Sequence, residues 1–214
     1  MRISGGGARG ITLVTPKGEA TRPAMDGMRQ AVFSSLGEFV VGARFLDLFA
    51  GSGAYGLEAL SRGETAGVFV EQNHKAALYV RKTIDAVCPR LGRDTRDLAV
   101  LQADARTVPL GAGGVPDVVF IDPPYEIIPV IAPALFGRLA EALAPKPAAL
   151  VVFELPGELE LAPVGWALLK RLGKGARHVA MTAYFTGFGG VKANDGDNKE
   201  TTPFVKDHEK HADL

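Results

Sequence analysis

Asp122-Pro123-Pro124-Tyr125 follows a four-residue apolar run, Val118-Val119-Phe120-Ile121. The two prolines remove two backbone donors and hold the chain extended, so the Asp122 carboxylate and the Pro123 carbonyl are expected to project from a strand end. Two acceptors beside an aromatic ring suit a flat base that carries an exocyclic amine. The lone pair of such a nitrogen is delocalised into the ring. Hydrogen bonds from its two N–H groups to Asp122 and the Pro123 carbonyl would localise that pair for attack on a carbon electrophile. Tyr125 would stack on the base and fix its plane. Asp122, Pro123, Pro124 and Tyr125 are therefore the candidate catalytic residues, and a bare Asp-Pro-Pro turn is the bland alternative.

A second constellation runs from Phe45 to Glu58. Phe45 to Phe49 reads as a buried strand, three glycines (Gly51, Gly53, Gly56) follow, and Leu57-Glu58-Ala59-Leu60 has strong helix formers. Strand, glycine turn and helix make a nucleotide-binding crossover, because glycine lets the backbone approach a ligand and the helix start offers free N–H donors. Gly51-x-Gly53-x-x-Gly56, with Glu71 eighteen residues beyond Gly53, matches the dinucleotide fingerprint. Asp47 points elsewhere: an acid inside the strand end is costly unless it faces a polar ligand or loop amides. Glu71 would accept both ribose hydroxyls of an adenosine, and Asp104 would accept from an adenine amino group or cap a helix. The cofactor candidates are Asp47, Phe49, Ala50, Gly51, Ser52, Gly53, Glu71, Gln72, Asp104, Ala105 and Asp122.

These residues need a scaffold that brings successive strand ends together. The pattern predicts strands at 44–50, 67–71, 98–102, 117–121 and 148–154, with helices near 54–62, 74–87 and 129–143. Strands alternating with helices imply a parallel, doubly wound sheet. Ala167–Leu172 and His178–Phe185 lie too close in sequence for a crossover and must form an antiparallel hairpin. Ahead of the sheet, residues 1–14 suggest two short strands around a glycine turn. A helix from about Met25 carries Met25, Met28, Val32, Phe33 and Leu36 on one face and Asp26, Arg29 and Gln30 on the other.

The 214 residues suffice for one domain with appendages, and an apolar content of 47% with 22% charged residues is that of a globular protein. Formal net charge is zero, but unevenly spread. Residues 1–30 hold five basic residues against two acids, and residues 187–214 hold four against six. Arg2, Arg9, Arg22 and Arg29 are thus candidate contacts to nucleic-acid phosphates, although Arg22 and Arg29 could instead serve a cofactor carboxylate or an ion pair with Asp26. One cysteine, Cys88, excludes a disulfide framework and a cysteine metal site, and no metal is expected. No apolar run reaches the ~20 residues of a membrane span, so a cytoplasmic location without membrane contact is expected.

The Asp47-x-Phe49-x-Gly51-x-Gly53 and Asp122-to-Tyr125 motifs together resemble S-adenosylmethionine (SAM) dependent amino-methyltransferases acting on nucleic-acid bases. From Arg2 to about Phe185 the chain resembles the RsmD family of small-subunit ribosomal RNA guanine-N2 methyltransferases. The resemblance lies in Arg2-Ile3-Ser4-Gly5-Gly6, Arg9-Gly10, Arg22-Pro23, Asp26-x-x-Arg29, Phe33, Asp47 to Gly53, Gly56 to Gly63, Glu71 and Asp122 to Tyr125. Ala24, Gln30 and Thr83 depart from the Thr, Glu and Asn expected there. The resemblance implies an α/β, Rossmann-like SAM methyltransferase fold, with a mostly parallel sheet closed by an antiparallel C-terminal hairpin and a small N-terminal extension. It implies an extension at 1–42 and a methyltransferase domain at 43–190; the polar composition of 191–214, with little to bury, predicts a disordered tail. SAM would be the cofactor, and small-subunit ribosomal RNA, free or in the assembling subunit, the partner of a monomeric enzyme. An adenine-N6 methyltransferase on DNA or RNA would use the same four catalytic residues, and the N-terminal pattern argues against it. An NAD-binding oxidoreductase would leave Asp122 to Tyr125 idle. A non-catalytic SAM-binding RNA assembly factor is the third alternative.

Overall fold

In the computed structural model, residues 1–14, 23–111, 113–173 and 178–185 are described. The apolar runs form seven strands: β1 (Arg44–Leu48), β2 (Ala66–Val70), β3 (Leu98–Leu101), β4 (Val118–Ile121), β5 (Leu150–Pro156), β6 (Trp166–Leu172) and β7 (His178–Phe185). The helices are α1 (Pro23–Leu36), α2 (Ala54–Ser61), α3 (His74–Arg90) and α4 (Ile128–Leu143). One sheet results, in the order β3-β2-β1-β4-β5-β7-β6. Strands β1 to β5 run parallel, whereas β7 lies antiparallel between β5 and β6. The sequence expectation of a parallel sheet closed by an antiparallel hairpin matches this order.

Alternation along each strand sorts the side chains between two faces. Phe45, Phe69, Phe120 and Val152 pack on one face with Phe33 of α1, Leu57 and Leu60 of α2, and Val80 and Ile84 of α3. Leu46, Val70, Ile121 and Phe153 pack on the other with Ile131, Leu135 and Leu139 of α4. Burial of both faces explains why the parallel strands read as continuous apolar runs. The same alternation puts Asp47 and Glu154, and the residues just past the strand ends, Glu71 and Asp122, on the first face. Four acids from four neighbouring strands thus converge at one edge of the sheet.

The N-terminal segment shares this first core through Ile3, Ala8 and Leu13. Its two expected strands reduce to a single antiparallel bridge, Arg2 with Thr12, because the glycine turn leans on α2 instead of extending the ladder. A Cβ on Gly6, whose φ is +74°, would stand 1.7 Å from the Ser61 carbonyl oxygen, so only glycine fits there. The Gly7 amide donates to that carbonyl at 2.8 Å, and the Ala8 amide to the Ser61 hydroxyl at 2.9 Å. Thr83, one of the departing positions, is buried and accepts the Val14 amide at 3.5 Å, tying the segment to α3.

Beneath the turn lies Glu58, fully buried in α2. Its carboxylate accepts the Ser4 amide at 2.8 Å, the Ser4 hydroxyl at 2.7 Å, Arg62 Nε at 2.8 Å and Arg29 Nε at 3.3 Å. Burial works to raise the Glu58 carboxyl, but the two Ser4 bonds, then Arg62 and Arg29, outweigh it and hold the carboxyl below its ordinary range. Arg29 also pairs with Asp26 at 3.0 Å and donates to the Arg2 carbonyl at 2.8 Å. With 2% of its surface exposed, Arg29 cannot reach a phosphate, which corrects both its place on the polar face of α1 and its expected RNA role. Arg22 and the tail at 191–214 lie outside the described residues. Replacing Glu58 with Gln should cost about 3 kcal/mol in urea unfolding, the low end for a broken buried pair because Asp26 still faces Arg29. A cost below about 1 kcal/mol would show that the node does not hold the segment.

Candidate active site

Parallel strands deliver their carboxyl ends to one edge, and the site lies there. A cavity of about 310 Å³ is lined by Phe49 and Gly51 after β1, by Val70, Glu71 and Gln72 of β2 and its end, by Ala103 and Ala105 after β3, and by Asp122, Pro123 and Pro124 after β4. Each stretch comes from a different crossover of the sheet. Phe49 adopts a φ of +58°, the one non-glycine residue with positive φ among those described. Such strain persists where the surroundings enforce it, here to turn the ring onto the cavity.

Glu71 Oε2 accepts the Gly51 amide at 2.8 Å and Oε1 accepts the Asn73 amide at 2.7 Å. Each oxygen is thereby fixed while keeping a lone pair for a hydroxyl donor. Asn73 also caps α3, its side chain accepting the amides of Lys75 and Ala76. Gly51 has φ +53°, and a Cβ there would meet only the Phe49 carbonyl oxygen at 3.9 Å, so the turn approaches the cavity without filling it. Gly56 serves packing instead: a Cβ there would meet the Phe69 ring at 2.3 Å and Phe45 at 2.6 Å.

Several cofactor candidates lie elsewhere. Asp47 is 3% exposed, outside the cavity lining, and accepts the Gly56 amide at 3.0 Å. Burial pushes its carboxyl well up, partly offset by that amide. Its role is to hold α2 against the strand, which corrects the expected ligand contact. Ala50 donates its amide to the Val70 carbonyl, and Gly53, at φ +74°, precedes α2. The Ser52 hydroxyl points to the Met1 sulfur at 3.5 Å. Of the two readings of Asp104 the structure shows the capping one: outside the cavity lining, it accepts the Arg106 amide at 2.8 Å and the Arg106 guanidinium on both oxygens.

Of the catalytic candidates, Asp122, Pro123 and Pro124 reach the cavity, and half-buried Tyr125 follows them at the start of a short helical turn. Burial pushes the Asp122 carboxyl up to about 6. Beside it stands Glu154, 2% exposed, which sequence reading passed over as the last residue of an apolar strand. The signal was the one that flagged Asp47, an acid within a buried strand. Tyr55 stacks on Phe120 with ring centroids 5.2 Å apart and donates its hydroxyl to Glu154. Glu154 is pushed up to about 8, by burial first and then by the Asp122 charge.

A family model described as conserved hypothetical protein 95 matches residues 1–183. The chain belongs to this family, the RsmD family. Ribosomal RNA small subunit methyltransferase D of Escherichia coli K12 is 33% identical over 126 residues, 59% of this chain and 61% of that protein. The match thus spans about three fifths of that relative's length. Its Haemophilus influenzae namesake is 31% identical over 173 residues, 79% of this chain and 86% of that protein. A solved hypothetical protein of Thermus thermophilus is 31% identical with a TM-score of 0.65, covering 85% of this chain and 98% of that one. More distant methyltransferases of the same fold, 12% and 15% identical, were solved with S-adenosylhomocysteine bound and speak for the fold alone.

The cavity fits SAM, the cofactor expected from the sequence. Glu71 offers two oriented acceptors for ribose hydroxyls, Val70, Ala103 and Ala105 offer apolar walls for a flat base, and Gly51 leaves backbone room. Glu71→Ala should weaken SAM binding by about 1.5–3 kcal/mol in calorimetry, the scale of a hydrogen bond to a charged group. Tight NAD binding without a SAM signal would overturn the cofactor assignment.

Proposed function

We propose that the chain is a SAM-dependent methyltransferase that methylates the exocyclic N2 amine of a guanine in small-subunit ribosomal RNA. The observation that carries this reading is the placement of Asp122, Pro123 and Pro124 on the wall of the cavity whose opposite side holds Glu71. An amine acceptor there adjoins a nucleoside site. The relatives named for small-subunit ribosomal RNA support the substrate class.

Glu71, Gly51 and the apolar cavity walls would hold SAM, which would supply an electrophilic methyl group whose C–S electron pair would leave with sulfur. The chain's own part is positioning. Asp122 and the Pro123 carbonyl would accept the two N–H groups of the amine and aim its lone pair at the methyl carbon. The N–H proton then goes to Asp122, since the alkylated amine is strongly acidic. Tyr125 stacks on the base. A base must leave its stack to enter the cleft, which favours an RNA loop or a flipped nucleotide. Arg2 and Arg9, both exposed and in no ion pair among the described residues, are the proposed phosphate contacts of a monomeric enzyme. In this reading Gln72 flanks the cofactor, and cytoplasmic RNA is the partner.

Asp122→Ala should lower methyl transfer to unmodified small-subunit particles by about 10²-fold or more, as for removal of a preorganised group in a dry site. SAM affinity should stay within a few fold, because Glu71 and the β1 turn are untouched. Near-normal turnover in this variant would reject the amine-acceptor mechanism.

A further inference from the structure

Three of the four acids at the carboxyl edge have clear roles, since Asp47 holds α2, Glu71 faces the cavity and Asp122 faces the amine. Glu154 has none in the proposed reaction. Strands β4 and β5 pair in register through Ile121 and Phe153, so Asp122 and Glu154 are the next pair and rise from the same face. Neighbouring strands stand about 4.8 Å apart, and a buried carboxylate and a half-buried one at that range cannot both ionise cheaply. Tyr55 determines where one of them stays, since its hydroxyl, carried by a ring stacked on Phe120, donates to Glu154 Oε1.

We propose that Glu154 is a positioning residue for methyl transfer: held by Tyr55 beside Asp122, it keeps the single proton that the two carboxyls retain and leaves Asp122 as the one anionic acceptor. The inference rests on the methyltransferase reading above. Its electrostatics agree, since burial pushes the Asp122 carboxyl up to about 6, and burial together with the Asp122 charge pushes Glu154 up to about 8. Between these values the pair carries one charge and one proton. The groups that face Glu154 among the described residues are Tyr55 from α2, Arg29 from α1 and Asp122 from β4. Strand β7 places Ala180 opposite it and buried Thr182 one pleat away. Arg29 opposes the upward shift, but its guanidinium is engaged by Glu58 and Asp26. During transfer the amine proton passes to Asp122 and Glu154 keeps its own. Once Glu154 ionises, repulsion turns Asp122 away from the amine.

The test uses the full-length protein in two arms. Without substrate, ¹³C NMR of the side-chain carboxyls should show the pair titrating in two steps near 6 and 8, and Asp122→Asn should lower the Glu154 step. With substrate, kcat of the unaltered enzyme should fall about fivefold between pH 8 and about pH 9, as for loss of one proton from a group that titrates near 8. Glu154→Gln cannot ionise and should change less than about twofold over that range. Tyr55→Phe removes a bond that favours the ionised Glu154, so its alkaline limb should move to higher pH, a check should the Gln variant misfold. Independent titration of the two carboxyls, or an alkaline limb that persists unmoved in both variants, would overturn the inference. Absence of transfer by the unaltered protein would instead reject the methyltransferase reading, with the NMR arm still deciding whether the pair shares a proton.

Discussion

A carboxylate without access to water must find donors inside the protein, and Glu58 finds four hydrogen bonds from the N-terminal turn, α1 and the end of α2. Unmatched, that charge would cost several kcal/mol. The requirement gives the N-terminal segment one place to dock. Ser4 must face Glu58, Gly6 must lie against Ser61, and Arg29 must turn inward. Phe33 of α1 is then carried to Tyr55 and Phe120, with ring centroids 6.1 and 5.4 Å away, just below the Asp122 edge of the sheet. The contribution is one of specificity as much as stability, because a buried ionic node tolerates few alternative arrangements.

From that docking the catalytic edge follows in layers. Phe33, Tyr55 and Phe120 form an aromatic floor, and the Tyr55 hydroxyl leaves the floor to reach Glu154. Above them stand Asp122 and, two strands away, Glu71. Each acid is neutralised or held differently: Asp47 by a helix amide, Glu71 by two loop amides, Glu154 by a phenol, Asp104 by Arg106. Asp122 lies on the cavity wall with its carboxyl raised by burial, the setting of the proposed amine acceptor. One face of the sheet therefore serves as core near its middle and as polar site at its edge.

The sheet was legible because parallel strands buried on both faces are apolar runs, and because the 167–185 segment leaves no room for a crossover. The cavity wall at Asp122 to Pro124 was legible for a local reason: Asp-Pro-Pro determines its own geometry. What escaped the sequence depended on partners far along the chain. Arg29 occupies a polar position of an amphipathic pattern, yet Glu58, 29 residues later, draws it inside. Asp47 and Glu71 look alike as strand-end acids, and only the position of the Gly56 amide separates the structural one from the ligand-facing one. Glu154 sat at the end of an expected strand that in fact runs on to Pro156, so its burial was hidden by a boundary two residues short.

The central claim is the transfer of a methyl group to a guanine amine of ribosomal RNA. Its most direct test is incubation of the full-length protein with methyl-labelled SAM and small-subunit particles lacking modification, followed by nucleoside analysis of the RNA. The account predicts label in N2-methylguanosine. Label in N6-methyladenosine, or none in RNA while SAM binds, would contradict it.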